Sequence, residues 1–198
     1  MGEFTRIPKA GASCLLVILA MSCLFLASSP AVLSADLRLF GGLTATMITH
    51  GDFYQTSGTG FFLGGGSEMA LTPHLALEID ALYFQKGRYT ALFRENNDPG
   101  GLIFMTIPYE INELSFPALV KVSLHPRNSP YLLGGAELAV NLSSSSIKTL
   151  NYGLVAGIGF RYGAFCAEVR YHHGLSDVMK DYLPSKMRAV AFALGYTI

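Results

Sequence analysis

Charge is what this sequence lacks most. Asp, Glu, Lys and Arg make up 14% of its 198 residues, where soluble domains carry roughly a quarter. With 51% of the chain hydrophobic, a soluble fold would be hard pressed to cover its surface. Basic and acidic residues balance at 14 each, so the basic patch that nucleic acid binding requires is missing. Tryptophan is absent and cysteine scarce. Cys14 and Cys23 lie in an N-terminal apolar run, CLLVILAMSCLFL, and Cys166 stands alone after it. A lone cysteine excludes a disulfide-stapled scaffold; on a strand it reads as a small packed hydrophobe. Beyond the N-terminus no segment reaches the ~18 apolar residues of a membrane helix. Two classes remain: an unusually oily soluble fold, or a membrane β-barrel, which crosses lipid with strands.

The N-terminus bears on the choice. Arg6 and Lys9 precede the apolar run, and ASSPAVLSAD follows it. A basic start, a short apolar stretch and small residues are the three parts of a secretory signal peptide. Residues 1–35 are therefore expected to be a signal peptide, cleaved after Ala35 or Ser34, and residues 36–198 the mature domain. The run is too short for a retained anchor, and AMSC is a poor lipoprotein signal. Loss of Glu3, Arg6 and Lys9 leaves acidic residues ahead by one.

What the mature part does have is alternation. In NELSFPALVKVSL, Leu114, Phe116, Ala118, Val120, Val122 and Leu124 share one parity, and Glu113, Ser115, Lys121 and Ser123 the other. Strict alternation means a β-strand with one oily and one polar face. The same pattern predicts eight strands, over 37–47, 60–71, 76–88, 110–124, 131–142, 152–162, 165–175 and 188–198. Short connections at Thr72–Leu75, His125–Pro130 and Arg161–Ala164 alternate with long polar ones at Thr49–Thr59, Arg88–Gly101, Ser143–Asn151 and Ser176–Met187. Short then long is the rhythm of an up-and-down antiparallel barrel with turns at one rim and loops at the other.

The second face mixes Gly and Ala with charges of both signs: Glu78, Asp80, Glu113, Lys121, Glu137, Glu168 and Arg170. A solvated face would be long-chained and uniformly polar. A crowded interior needs small residues and paired charges. The oily face is therefore expected to meet lipid, with Lys121 pairing inward with an acid such as Glu113 or Glu168. Pro117 cannot donate to the ladder, so a bulge or weak pairing is expected there. Tyr83, Tyr109, Tyr131, Tyr152, Phe165, Tyr171 and Tyr196 fall near strand ends, where aromatic side chains suit the membrane–water interface.

ALEIDALYFQKG, LSFPALVKV, SPYLLGGAEL, YGLVAGIGF, AEVRYHHGLSD and the closing ALGYTI, in this order, resemble the small outer-membrane β-barrel proteins of Gram-negative bacteria, the porin-family or OmpA/OmpX-like β-barrel domain. The resemblance spans nearly all of 36–198. It implies an all-β, eight-stranded antiparallel transmembrane barrel in the bacterial outer membrane, with outer-membrane lipids as surroundings. It also implies that the C-terminal strand is read by the barrel-assembly machinery, that the barrel is a monomer, and that any extracellular ligand meets the loops. Such chains usually end in Phe, whereas this one ends in Ile198. The implied role is structural or surface-interacting, through four long loops. A small passive channel and a lipid A-modifying hydrolase are the alternatives.

No constellation in the sequence commands a chemistry, and no catalytic, cofactor or metal residue is assigned. His172, His173 and Ser176 in YHHGLSD, with Glu168, have the residue types of a hydrolase triad. In the lipid A deacylases, which are also outer-membrane barrels, the His and Ser stand closer in sequence. Adjacent strand residues point to opposite faces, so His172 and His173 cannot chelate one metal together. The glycines of FFLGGGSE lack the strand–loop–helix context of a phosphate loop and read as sites of a kink or close approach. A narrow interior of paired charges fits a filled eight-stranded barrel better than a water-filled pore.

Overall fold

The computed structural model describes residues 35–50, 54–89, 109–125, 128–143, 149–177 and 185–198. Apart from Ala35, which is paired in the first strand, the proposed signal peptide lies outside them. Eight strands form: β1 Ala35–His50, β2 Tyr54–Thr72, β3 Leu75–Tyr89, β4 Tyr109–Ser123, β5 Pro130–Asn141, β6 Leu150–Tyr162, β7 Phe165–Gly174 and β8 Ser185–Thr197. Each pairs antiparallel with the next, and β1 pairs with β8 from Arg38↔Thr197 to His50↔Ser185, closing the barrel.

All eight expected strands are present, with one substantial difference. The loop expected over Thr49–Thr59 is mostly strand: β1 and β2 continue pairing as far as His50↔Tyr54. The polar residues there, Thr49, Gln55, Thr56 and Ser57, read as loop by composition, yet their backbone groups complete the ladder. Most of the other three long connections lies outside the described residues.

At the opposite rim the turns are tight. Gly163 takes φ +60°, open to residues without a Cβ, and lets β6 reverse into β7 within two residues. Its N–H donates to Asn128 Oδ1 at 2.7 Å, tying two neighbouring turns together.

The faces are inverted relative to a soluble protein. On β1, Arg38 is fully buried between Leu37 at 52% and Leu39 at 51% exposure. On β8, Ala193 is buried beside Leu194 at 72%. Charges point into the barrel and large apolar side chains point out, as the parity of the sequence requires for a barrel in lipid. The apolar set of β4, including Val120 and Val122, faces out, while Glu113, Ser115 and Lys121 are buried. Cys166 is buried in a cluster with Phe40, Phe62, Leu82, Phe84, Ala191 and Ala193.

The chain keeps its register at Pro117: β3 and β4 stay in step from Ile79↔Ala118 to Leu82↔Ser115. The pairing is nevertheless interrupted at Asp80 and Ala81, opposite Pro117 and Phe116. Weak pairing is thus found at Pro117, whereas the register shifts lie between Ala70 and Thr72 and between Gln85 and Arg88.

One expectation is corrected. Tyr131 is not interfacial: it is 5% exposed, inside the lumen, and donates to Glu168 Oε1 at 2.5 Å. Space for its ring exists because Gly159 lies opposite on β6. A Cβ at 159 would collide with the ring and hydroxyl of Tyr131. We expect Gly159→Ala to cost about 1–3 kcal/mol by overpacking, read as a lower urea midpoint of the refolded barrel. In a Tyr131→Ala background the added loss should shrink to near zero; an undiminished loss would mean that backbone strain, and not this contact, is the cause.

Candidate functional site

The one place where this barrel concentrates chemistry is its lumen. Parity carries the charged side chains of seven strands, β1 to β7, inward, and the small diameter forces them together.

At the turn end, four cations meet four carboxylates. Arg38 bonds Glu68 at 2.8 Å and also Glu78. Lys121 lies 3.2 Å from Glu68 and 3.1 Å from Glu168, and contacts Glu78. Arg161 grips both oxygens of Glu68, at 2.5 and 2.6 Å. Arg170 reaches three carboxylates with one guanidinium: Glu168 through Nε at 2.5 Å, Asp80 through Nη1 at 2.6 Å and Glu78 through Nη2 at 2.8 Å. The formal charges cancel. Such fork geometry belongs to arginine and holds buried carboxylates that would otherwise be costly.

Above this network lies an apolar layer. The Phe40 ring is flanked by Arg38 and Arg170, each 4.8 Å from its centroid. Phe62 and Phe84 stack at 5.0 Å, with Leu82 fully buried in the same cluster. Leu119, Leu133 and Val155 fill the β4–β6 side together with Tyr131. The sequence reading foresaw small residues and charges inside, and these large inward side chains depart from it.

At the loop end is a smaller polar group. Lys86 donates to Glu113 at 2.7 Å, Ser115 to Glu137 at 3.0 Å, and His172 Nδ1 meets Glu137 at 2.8 Å. Phe84 bounds this group from below, edge-on to His172 at 5.4 Å. A cavity of ≈ 20 Å³, the size of one water, is lined by Lys86, Glu113, Glu137, Asn151 and His172, among others.

The residue types of a hydrolase are not brought together. His172 points into the lumen onto Glu137, whereas Ser176 bonds Asn151 at 3.2 Å and accepts from the Tyr152 N–H at 3.2 Å. Glu168 belongs to the turn-end network. Among the described residues, no group of three or more His, Cys, Asp and Glu could hold a metal ion. Lys121 pairs with Glu168 as expected, and not with Glu113, which takes Lys86 instead.

Arg38, Glu68 and Lys86 were absent from the sequence-based set of pairing charges. Their signal was parity: Arg38 lies between Leu37 and Leu39, and Lys86 continues the face of Glu78 and Asp80.

Two solved structures share this architecture. The attachment invasion locus protein Ail of Yersinia pestis, solved with the heparin analogue sucrose octasulfate, is 15% identical, with a TM-score of 0.50 over 83% of this chain and 99% of its own. Neisserial surface protein A is 11% identical, with a TM-score of 0.50 over the same shares. At such identities the likeness is one of fold. No curated protein sequence matches the chain. Residues 28–180 match the model of the outer membrane protein beta-barrel domain, and with a closed eight-stranded barrel whose lipid-facing wall is apolar and whose lumen is charged, the chain belongs to that family.

Proposed function

We propose that the protein is a closed barrel of the bacterial outer membrane, without catalytic activity, acting through the segments it presents outside the cell. The observation that carries this reading is the filled lumen. Four cations and four carboxylates interlock across it, and Phe62, Phe84, Leu119 and Val155, all at 2% exposure or less, pack above them. Ions crossing would have to break desolvated pairs and then pass a dry constriction. With the interior committed to packing, what remains free to meet other molecules is the outer wall and the long connections. In this family those connections face the exterior and the tight turns the periplasm.

The test is current. Purified barrel reconstituted into a planar phosphatidylcholine bilayer should give no steady ionic conductance. Discrete, reproducible conductance steps would overturn the closed-barrel reading in favour of a small passive channel. The surface role is tested on cells. Shortening the connection between β3 and β4 should leave the barrel folded and heat-modifiable on gels, while lowering the attachment of expressing cells to glycan-coated surfaces. Unchanged attachment would leave a purely structural role.

A further inference from the structure

The outer wall is not apolar throughout. Among the strand residues whose side-chain burial the structure describes, the charged ones point into the lumen, save Asp36 at the start of β1 and two neighbours on β8, Lys186 and Arg188. Both β8 cations stand on the outward parity of Val190, Phe192, Leu194 and Tyr196. Directly across the ladder, Arg188 faces His173 on β7 and Met47 on β1. Lys186 is partly committed: it donates to Leu175 O and lies 3.8 Å from Asp177. Arg188 has no ion-pair partner among the described residues and is exposed.

Height along the barrel gives this placement meaning. Arg188 and Tyr196 are eight residues apart on one strand, about 27 Å at ~3.4 Å per residue. At the ~40° tilt of such strands this is roughly 20 Å along the membrane normal, close to the ~25 Å apolar band. With Tyr196 at the periplasmic interface, Arg188 sits where the hydrocarbon of the outer leaflet meets its headgroups. The wall beside it is concave. A groove of ≈ 590 Å³ is lined by Arg188, Tyr171, Met47, Ala45 and the exposed Ser57 and Thr59 of β2, among others. At a similar height on β5 and β6 the outward residues are apolar or aromatic, as at Leu138, Leu150 and Tyr152.

A local pair of cations, hydroxyl groups and an apolar floor call for one ligand with matching parts. We infer that the groove binds a lipid of the extracellular leaflet through a phosphate-bearing headgroup. The Arg188 guanidinium takes the phosphate oxygens as a fork, Lys186 supplies a second positive charge, and Ser57, Thr59 and Tyr171 meet the headgroup's polar groups. The acyl chains run down over Met47, Ala45 and Val190.

Diphosphoryl lipid A, its dephosphorylated form and inorganic phosphate are the probes, and native mass spectrometry of the folded chain released from detergent is the readout. Diphosphoryl lipid A should remain on the barrel. Arg188→Ala should weaken it about tenfold, the value of one charge-assisted fork, and Lys186→Ala with Arg188→Ala further. Arg188→Lys should keep part of the binding. All variants should remain heat-modifiable on gels, since both positions face outward. Equal retention of the dephosphorylated form, or of lipid by the double variant, would overturn the proposal in favour of bare acyl contact. Displacement by millimolar inorganic phosphate would overturn it in favour of a free-anion site.

Discussion

Arg170→Ala is expected to lose about 3–5 kcal/mol of barrel stability, the range for removing one partner of a buried ion pair. Arg170 is 1% exposed, and its three nitrogens serve three different carboxylates, Glu168, Asp80 and Glu78. Truncation strands all three in a narrow lumen. Lys121, Arg38 and Arg161 remain, but none of them contacts Asp80, so its charge has no substitute partner. Arg170→Lys should fall between, because an ammonium keeps the charge and loses the fork. Urea titration of the protein refolded into phosphatidylcholine vesicles gives the number. A loss under about 0.5 kcal/mol, the scale of a solvated pair, would mean that water fills the lumen, and the closed-barrel function would go with it.

The second large effect is on the other face. Val120→Arg should cost roughly 2–4 kcal/mol, the penalty for a cation on the lipid face near the midplane. Val120 is 45% exposed and points outward. It lies four residues above Leu124, which is 79% exposed at the turn rim, hence roughly 10 Å into the apolar band. Its neighbour Lys121 is 3% exposed and points inward. Lys121→Ala should also destabilise, by depriving Glu68 and Glu168 of a cation, so magnitude alone does not separate the two. Lipid dependence does: thinner bilayers should relieve Val120→Arg and leave Lys121→Ala unchanged. A nitroxide at 120 should be reached by oxygen dissolved in the bilayer and one at 121 should not. The opposite accessibility would place the oily face in the core and remove the barrel from the membrane.

Much of this was legible in the chain. Alternation is a local property of extended backbone, so Leu114 to Leu124 declared a two-faced strand without reference to any partner. Gly and paired charge on the second face then decided which side was the interior. The candidate site was legible only as a set of inward charges. Glu78, Asp80, Glu168 and Arg170 could be placed in the lumen, but parity is silent on height. Tyr131 shows the limit: one residue into β5 it reads as an interfacial tyrosine, yet its place on the inward parity and the gap left by Gly159 draw it into the lumen, onto Glu168.

What the sequence by itself determined, then, is the number of strands, the face on which each side chain stands, and the inversion of polar and apolar that suits lipid. What the tertiary structure decided is which charges meet. Arg38 and Cys166, 128 positions apart, are neighbours because β1 closes on β8 and β8 pairs with β7. His172 and Ser176, four positions apart, are not joined, because one faces into the lumen and the other lies past the strand end on Asn151. The stagger between strands and the closure of the sheet set the height of every residue in the barrel, and neither is written in any single strand.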